Sequence, residues 1–240
     1  MATALTIREH IHQLGADVCG IAAVARFEAA PRGFHPCDLF DHCQSVIVFG
    51  KALPQGTLEV SPRLLYLKAM GECLAELDRM SFLASRWIED CGGVAVPLPS
   101  DAPHEFWDAE RQTARGLLSL KHAAVEAGLG EIGKSTLLLN PTWGNRLMLG
   151  CVLTDLELPS DPVAPASLCP THCRICLNSC PMRALDGVTI DQSRCRQLVY
   201  GFNAKGYAIC NCNICRRACP NARSSSDFVL RAPRQMAGAI

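Results

Sequence analysis

The sequence predicts an α+β chain in two parts, a mixed helix-and-strand body over residues 1–160 and a small cysteine-rich unit over 161–240. Three observations carry this. Short β-branched apolar runs alternate with stretches of helical spacing through the first 155 residues. Nine of the 15 cysteines crowd between positions 169 and 219. Between the two regions, residues 156–168 have the proline- and aspartate-containing composition of a linker.

Residues 5–14 have the spacing of a short amphipathic helix, and 17–24 read as an apolar, partly β-branched strand. A loop with Pro31, Gly33 and Pro36 follows, then SVIVFG at 45–50, a compact buried strand. Ser61-Pro62 supplies a cap and first-turn proline for a long helix over 61–91. Its expected apolar face is Leu64, Leu65, Leu67, Leu74, Leu77, Phe82 and Trp87, and Gly92-Gly93 ends it. Residues 94–98 resemble another strand, 100–115 an irregular functional loop, and 117–127 a helix. Within 144–155, the apolar run from Leu147 to Leu153 predicts a central strand.

At 240 residues and 49% hydrophobic content the chain can bury a sizeable core. Lysine plus arginine equals aspartate plus glutamate, and no basic stripe argues for nucleic acid. No secretory signal and no apolar run of roughly 18 residues is visible, which predicts a soluble, cytoplasmic protein without a membrane span. The scattered cysteines at 19, 37, 43, 73, 91 and 151 read as small buried hydrophobes.

The chemistry is in the remaining cysteines. Cys173-x2-Cys176-x3-Cys180-Pro181 recurs 39 residues later as Cys212-x2-Cys215-x3-Cys219-Pro220. In two-cluster ferredoxins the cysteine before proline ligates the other cluster, so two such copies exchange ligands. The expected sets are Cys169, Cys173, Cys176 and Cys219 for one [4Fe–4S] cube, and Cys180, Cys195, Cys212 and Cys215 for another. Cys169 stands one residue further from Cys173 than the commonest spacing, and Cys210 is left as the spare. Structural zinc and disulfides are the alternatives; zinc sites seldom place proline after a third cysteine in both halves.

Residues 128–135, GLGEIGKS, satisfy both the G-x-G-x-x-G and the G-x4-G-K-S nucleotide patterns. Both mechanisms need a strand entering the loop and a helix leaving it. The preceding residues look helical, so a glycine-rich turn shaping another pocket is the preferred reading.

GADVCGIA, SVIVFG, the segment 119–155 and the paired cysteine motifs followed by Asn221 together resemble the epoxyqueuosine reductase-like iron–sulfur proteins, relatives of the reductive dehalogenases. The resemblance covers most of the chain. It implies a nitroreductase/cobalamin-reductase-like α/β domain with a bacterial ferredoxin-like two-[4Fe–4S] domain packed against it. It also implies that the clusters feed electrons to a cobalamin, with Ser119, Gly128, Gly130, Gly133 and Lys134 near that cofactor. Two features depart from the tRNA-modifying members. Residues 111–125 hold no acidic residue where those members carry a proton donor, and the chain has no C-terminal helical-repeat extension. Epoxyqueuosine reduction itself is therefore not expected; the sequence looks like the shorter branch with Ser119, His122, Ala123 and Ala124. His122 is the candidate proton donor, since imidazole titrates near neutrality, with a helix-packing histidine as the alternative. Glu126 and His104 are weaker candidates.

The resulting expectation is a reductase that relays electrons from a ferredoxin or flavodoxin-like donor protein through two clusters to a corrinoid or an unknown small-molecule substrate. The rival is a non-enzymatic electron-transfer or docking protein without corrinoid. Flavin fits the domain type, but no residue argues for it.

Overall fold

The computed structural model describes residues 2–60, 63–164, 167–210 and 212–222. Helix α1 (Ala4–Gln13) starts at a capping box in which Thr3 and Thr6 satisfy each other's main-chain N–H groups, and it buries Ala4, Ile7 and Ile11. Strands β1 (Val18–Ala23) and β2 (Ser45–Ala52) follow, then helix α2 (Arg63–Asp90) and strand β3 (Ala95–Leu98). Helix α3 (Leu120–Glu126) and strand β4 (Leu147–Thr154) complete the body. The four strands form one sheet in the order β1-β2-β4-β3, antiparallel at every pairing.

Both faces of this sheet are covered, which explains why β2 and β4 are continuous apolar runs rather than alternating ones. On one face Ile21, Ile47, Phe49 and Val152 pack with Ile7 and Ile11 of α1 and with Leu77, Met80, Ala84 and Ile88 of α2. On the other, Val46, Val48, Leu149, Cys151 and Leu153 meet Ala123 and Ala124 of α3. Each fully buried aliphatic side chain contributes about 1.5–3 kcal/mol, so the two layers dominate stability.

Helix α2 forms where the spacing predicts it, but not with the expected face. Leu64, Leu65 and Phe82 are exposed, Leu67, Leu74 and Trp87 are half-buried, and only Leu77 of that set is fully covered. The buried stripe is Tyr66, Cys73, Leu77, Met80, Ser81, Ala84, Ser85 and Ile88. Small residues line it because the helix lies close against the sheet, and the hydroxyls of Ser81 and Ser85 donate to carbonyls one turn back (3.0 and 2.9 Å). The Ser61-Pro62 cap lies outside the described residues.

The stretch 100–115 is not irregular throughout. It contains a small hairpin pairing Phe106–Asp108 with Thr113–Arg115. Helix α3 is shorter than expected, with Ser119 as its N-cap. Among the scattered cysteines, Cys43, Cys73 and Cys151 are buried and Cys19, Cys37 and Cys91 partly so. Burial pushes the Cys19 thiol up to about 12 and those of Cys43 and Cys73 up to about 11.

The described part of the linker-like segment is pinned to the body. The Asp161 carboxylate accepts from the Ile21 N–H (2.8 Å) and pairs with Arg8 (2.6 Å), and Ser160 Oγ accepts from the Ala23 N–H (2.7 Å). Beyond it come helix α4 (Ile175–Ser179), helix α5 (Gln192–Val199), a hairpin of Tyr200–Phe202 with Ala208–Cys210, and helix α6 (Ile214–Ala218). Helices α4 and α6 pack on each other, and the hairpin packs on α2. No helix among the described residues is long and apolar enough to cross a membrane.

Candidate iron–sulfur centre

The two cysteine copies fold alike. Arg174 and Asn213 precede their short helices with nearly the same backbone angles, φ −129° ψ 16° and φ −134° ψ 23°. The N–H groups of Asn178 and Arg217 reach back to those residues' carbonyls, both at 2.9 Å. Each helix stops at the cysteine before proline, with Cys180 at φ −73° ψ 110° and Cys219 at φ −68° ψ 130°. Proline's ring bars the preceding residue from the helical region, so Pro181 and Pro220 turn these two cysteines out of their own helices.

The electrostatics divide the cysteines into two quartets. Burial raises the proton affinity of Cys176, and the neighbouring Cys169 and Cys173 raise it further. Cys219 is pushed up to about 11, first by burial and then by Cys176, Cys169 and Cys173, none of which belongs to its own copy. Cys195 is likewise pushed up to about 11 by burial and then by Cys215, Cys212 and Cys180. In Cys215 burial again dominates, with the Arg216 charge opposing it and Cys212 and Cys180 adding to it. The last cysteine of each copy thus faces the other copy.

The first quartet also lines a single cavity of about 190 Å³, together with Gly133, Lys134 and Ser135. Four thiols around one cavity form the donor set an iron–sulfur cube takes. Among the described residues every cysteine is a free thiol, and no three His, Cys, Asp or Glu side chains close on a point fit for a single metal ion. The Cys210 side chain lies outside the description.

The GLGEIGKS segment has helix α3 before it and a tight hairpin, Glu131–Ile132 with Leu138–Leu139, after it. Neither the entering strand nor the leaving helix of a phosphate loop is present. A Cβ on Gly128 would overlap the Pro162 carbonyl, and one on Gly130, whose φ is +153°, would overlap that of Leu139. At Gly133 it would meet Leu139 Cδ1 at 2.8 Å. At these three positions the neighbouring chain approaches so closely that only glycine fits. Lys134 Nζ instead donates to the carbonyls of Pro170, Thr171 and Cys173 (2.9, 2.5 and 3.0 Å), and the Glu131 carboxylate accepts from the Cys169 N–H. Glu131 was not singled out in the sequence; its place in the same turn as Lys134 is the only signal there.

Ser119 Oγ and His122 Nδ1 lie 2.6 Å apart at the exposed start of α3. Beside them Lys121 is half-buried, donates to the Thr136 carbonyl (2.6 Å), and has its pKa lowered by burial and then by the Arg216 charge. His104 sits 3.9 Å from Asp101, and the Glu126 carbonyl accepts from Arg26.

Further contacts join the body to the cysteine-rich unit. Arg216, buried in α6, donates to the Asn145 carbonyl, and Asn145 Nδ2 donates to the Arg216 carbonyl (2.8 Å). On the other side Gln192 of α5 exchanges two hydrogen bonds with the main chain of Ala114 (3.0 Å each), and the Arg196 guanidinium stacks on Trp107 and Tyr200 at 5.0 and 5.2 Å. Asn145, Arg216 and Gln192 carried no recognisable signal in the sequence beyond the glycine that precedes Asn145.

No protein-family model matches the chain. The epoxyqueuosine reductase of Synechococcus sp. (strain CC9605) is 36% identical over 216 residues, covering 82% of this chain and 61% of that protein. This chain therefore spans less than two thirds of that relative's length. Among solved structures, the epoxyqueuosine reductase from Streptococcus thermophilus superposes with a TM-score of 0.65 at 19% identity, covering 97% of this chain and 69% of that one. A reductive dehalogenase solved in connection with B12-dependent dehalogenation gives 0.66 at 20% identity, covering 91% and 32%.

Proposed function

We propose that this chain, which is similar to the epoxyqueuosine reductases, is an iron–sulfur oxidoreductase that relays electrons through two [4Fe–4S] clusters to a substrate or cofactor on the body. The observation that carries this reading is the division of eight cysteines into two mutually facing quartets, one of them lining a common cavity. When bound, such clusters are one-electron carriers whose potentials depend on burial, charge and hydrogen bonds to sulfur.

The residues of the chain have separable tasks in this reading. Cys169, Cys173, Cys176 and Cys219 hold the first cluster, and Cys180, Cys195, Cys212 and Cys215 the second. The Arg216–Asn145 contact holds the second copy against β4. Ser119 and His122 present an imidazole on the outer surface of the body, where it can hold or release the proton a two-electron reduction consumes. A ferredoxin or flavodoxin-like protein would supply the electrons, losing one for each that enters the chain.

Cobalamin is the candidate cofactor of this proposal and, when bound, would supply a cobalt that the clusters can reduce. A second reading, a one-electron carrier without corrinoid, is favoured by the absence of any acidic residue over 111–125. Anaerobic purification with iron and corrinoid analysis, then spectra after adding a reduced donor and free cobalamin, separates the two. About eight irons per chain with cobalt reduction supports the enzyme; the same iron with no corrinoid response supports the carrier. An iron content near half that value would sink both.

A further inference from the structure

The GLGEIGKS segment matches two nucleotide patterns and has the surroundings of neither. We propose that it is instead the cap of the first cysteine quartet, with Lys134 as a positioning residue that fixes the loop carrying Cys169 and Cys173 and, with Glu131, tunes the potential of the cluster held there. The inference rests on the two-cluster reading above and adds to it a role for a segment that reading leaves unused.

Three main-chain carbonyls, those of Pro170, Thr171 and Cys173, converge on the single ammonium of Lys134. That is the full donor capacity of a lysine head group, and hydrogen bonds from a charged donor are about twice as strong as neutral ones. Between these carbonyls lies the turn that sets the direction of Cys173. One residue before it, the Cys169 N–H is held by the carboxylate of Glu131 from the same hairpin. Gly133, Lys134 and Ser135 themselves line the cavity that the four thiols share. Gly130 keeps the hairpin compact, because only a residue without Cβ lets the Leu139 carbonyl approach it.

Reduction adds one negative charge to a cluster. A neighbouring positive charge lowers the cost of that addition and raises the potential; a neighbouring negative charge does the reverse. Lys134 and Glu131 therefore act on that cluster with opposite signs, and so does their removal.

The test uses the full chain, prepared anaerobically, with Lys134→Met, Lys134→Arg and Glu131→Gln. Iron is counted, and both cluster signals are followed by electron paramagnetic resonance during a redox titration. Lys134→Met is expected to move one of the two signals to a more negative potential and Glu131→Gln to move the same signal to a more positive one. Lys134→Arg is expected to leave it near the wild-type value. Loss of half the iron from Lys134→Met alone, rescued by Lys134→Arg, also supports the cap, since it shows that the loop is fixed from this side. Full iron with both potentials unchanged in Lys134→Met and Glu131→Gln overturns it, and Glu131→Gln, which keeps its acceptor oxygen, carries the test if Lys134→Met does not fold. A wild-type chain without iron would instead remove the two-cluster reading itself.

Discussion

Arg216 and Asn145 hold each other reciprocally: the guanidinium of Arg216 donates to the Asn145 carbonyl, and the Asn145 amide donates to the Arg216 carbonyl at 2.8 Å. Both residues are buried, and 71 positions separate them in the chain. Asn145→Leu removes the side-chain half of this exchange and leaves the Arg216 carbonyl with only the longer bond from the Cys219 N–H (3.4 Å), at a cost of about 0.5–1.5 kcal/mol. The expected outcome is a lower unfolding temperature together with weaker iron retention in the second motif. A variant with wild-type melting and full iron would show that the exchange is incidental to the joint.

One residue earlier, Gly144 has φ +56°, and a Cβ there would overlap the Asn221 carbonyl. Gly144→Ala therefore pays about 1–2 kcal/mol for the left-handed backbone and must also push the second motif away. Gly71, inside α2, meets nothing within 4 Å of its would-be Cβ. Gly71→Ala is expected to stabilise by about 1 kcal/mol, because alanine restricts the unfolded helix segment. Denaturant midpoints of opposite sign for the two changes are the check, and a harmless Gly144→Ala would contradict the packing at the joint.

The strands and the cysteine pattern were legible in the sequence for physical reasons. SVIVFG and the run at 147–153 are buried on both faces, so hydrophobicity alone marks them, and the Cys-Pro pairs announce their own exit from a helix. The face of α2 was not legible. Leu64, Leu65 and Phe82 suggested one side, but close packing against the sheet selects the side bearing Ser81, Ala84 and Ser85. GLGEIGKS shows the same limit from another direction, since only the surrounding elements distinguish a phosphate loop from a hairpin that holds a cysteine loop. The Asn145–Arg216 and Gln192–Ala114 contacts depend on residues 71 and 78 positions apart, which no local pattern encodes.

The buried thiols of Cys43 and Cys73 make alkaline stability a further test. Burial raises both from 9.0 to about 11, so the folded chain keeps protons that the unfolded chain releases. Their contribution is complete below pH 9.0 and is lost as pH rises through about 11. Urea midpoints on either side of pH 9.0 are expected to fall less steeply in Cys43→Ala or Cys73→Ala than in the parent chain. Parallel slopes would mean that the thiols ionise without hindrance from their surroundings.

His122 is held by Ser119 at 2.6 Å, on the face of α3 away from the sheet core. If its imidazole delivers the proton, His122→Gln lowers turnover about 100-fold or more, while iron content and cluster potentials stay at wild-type values. Ser119→Ala is expected to act more weakly, since it loosens the ring without removing it. Unchanged turnover in His122→Gln would leave the residue as a helix-surface histidine.

The charge distribution predicts how a donor approaches. Residues 167–222 carry seven Lys or Arg against two Asp or Glu, although the whole chain has no net charge. Tyr200, Phe202 and Tyr207 stand exposed on the hairpin that follows α5, the helix bearing Cys195. The exposed Arg194 and Lys205 beside these aromatics suit an acidic protein as the electron donor of the proposed relay, its encounter steered by charge. Reduction by such a donor is expected to slow about 10-fold between low and high ionic strength. Arg194→Glu combined with Lys205→Glu, both changes at exposed positions, should slow it at low salt and flatten the salt dependence. Equal rates for parent and double variant across the salt series would place the entry point on another face, and stopped-flow bleaching of the cluster absorbance measures this directly.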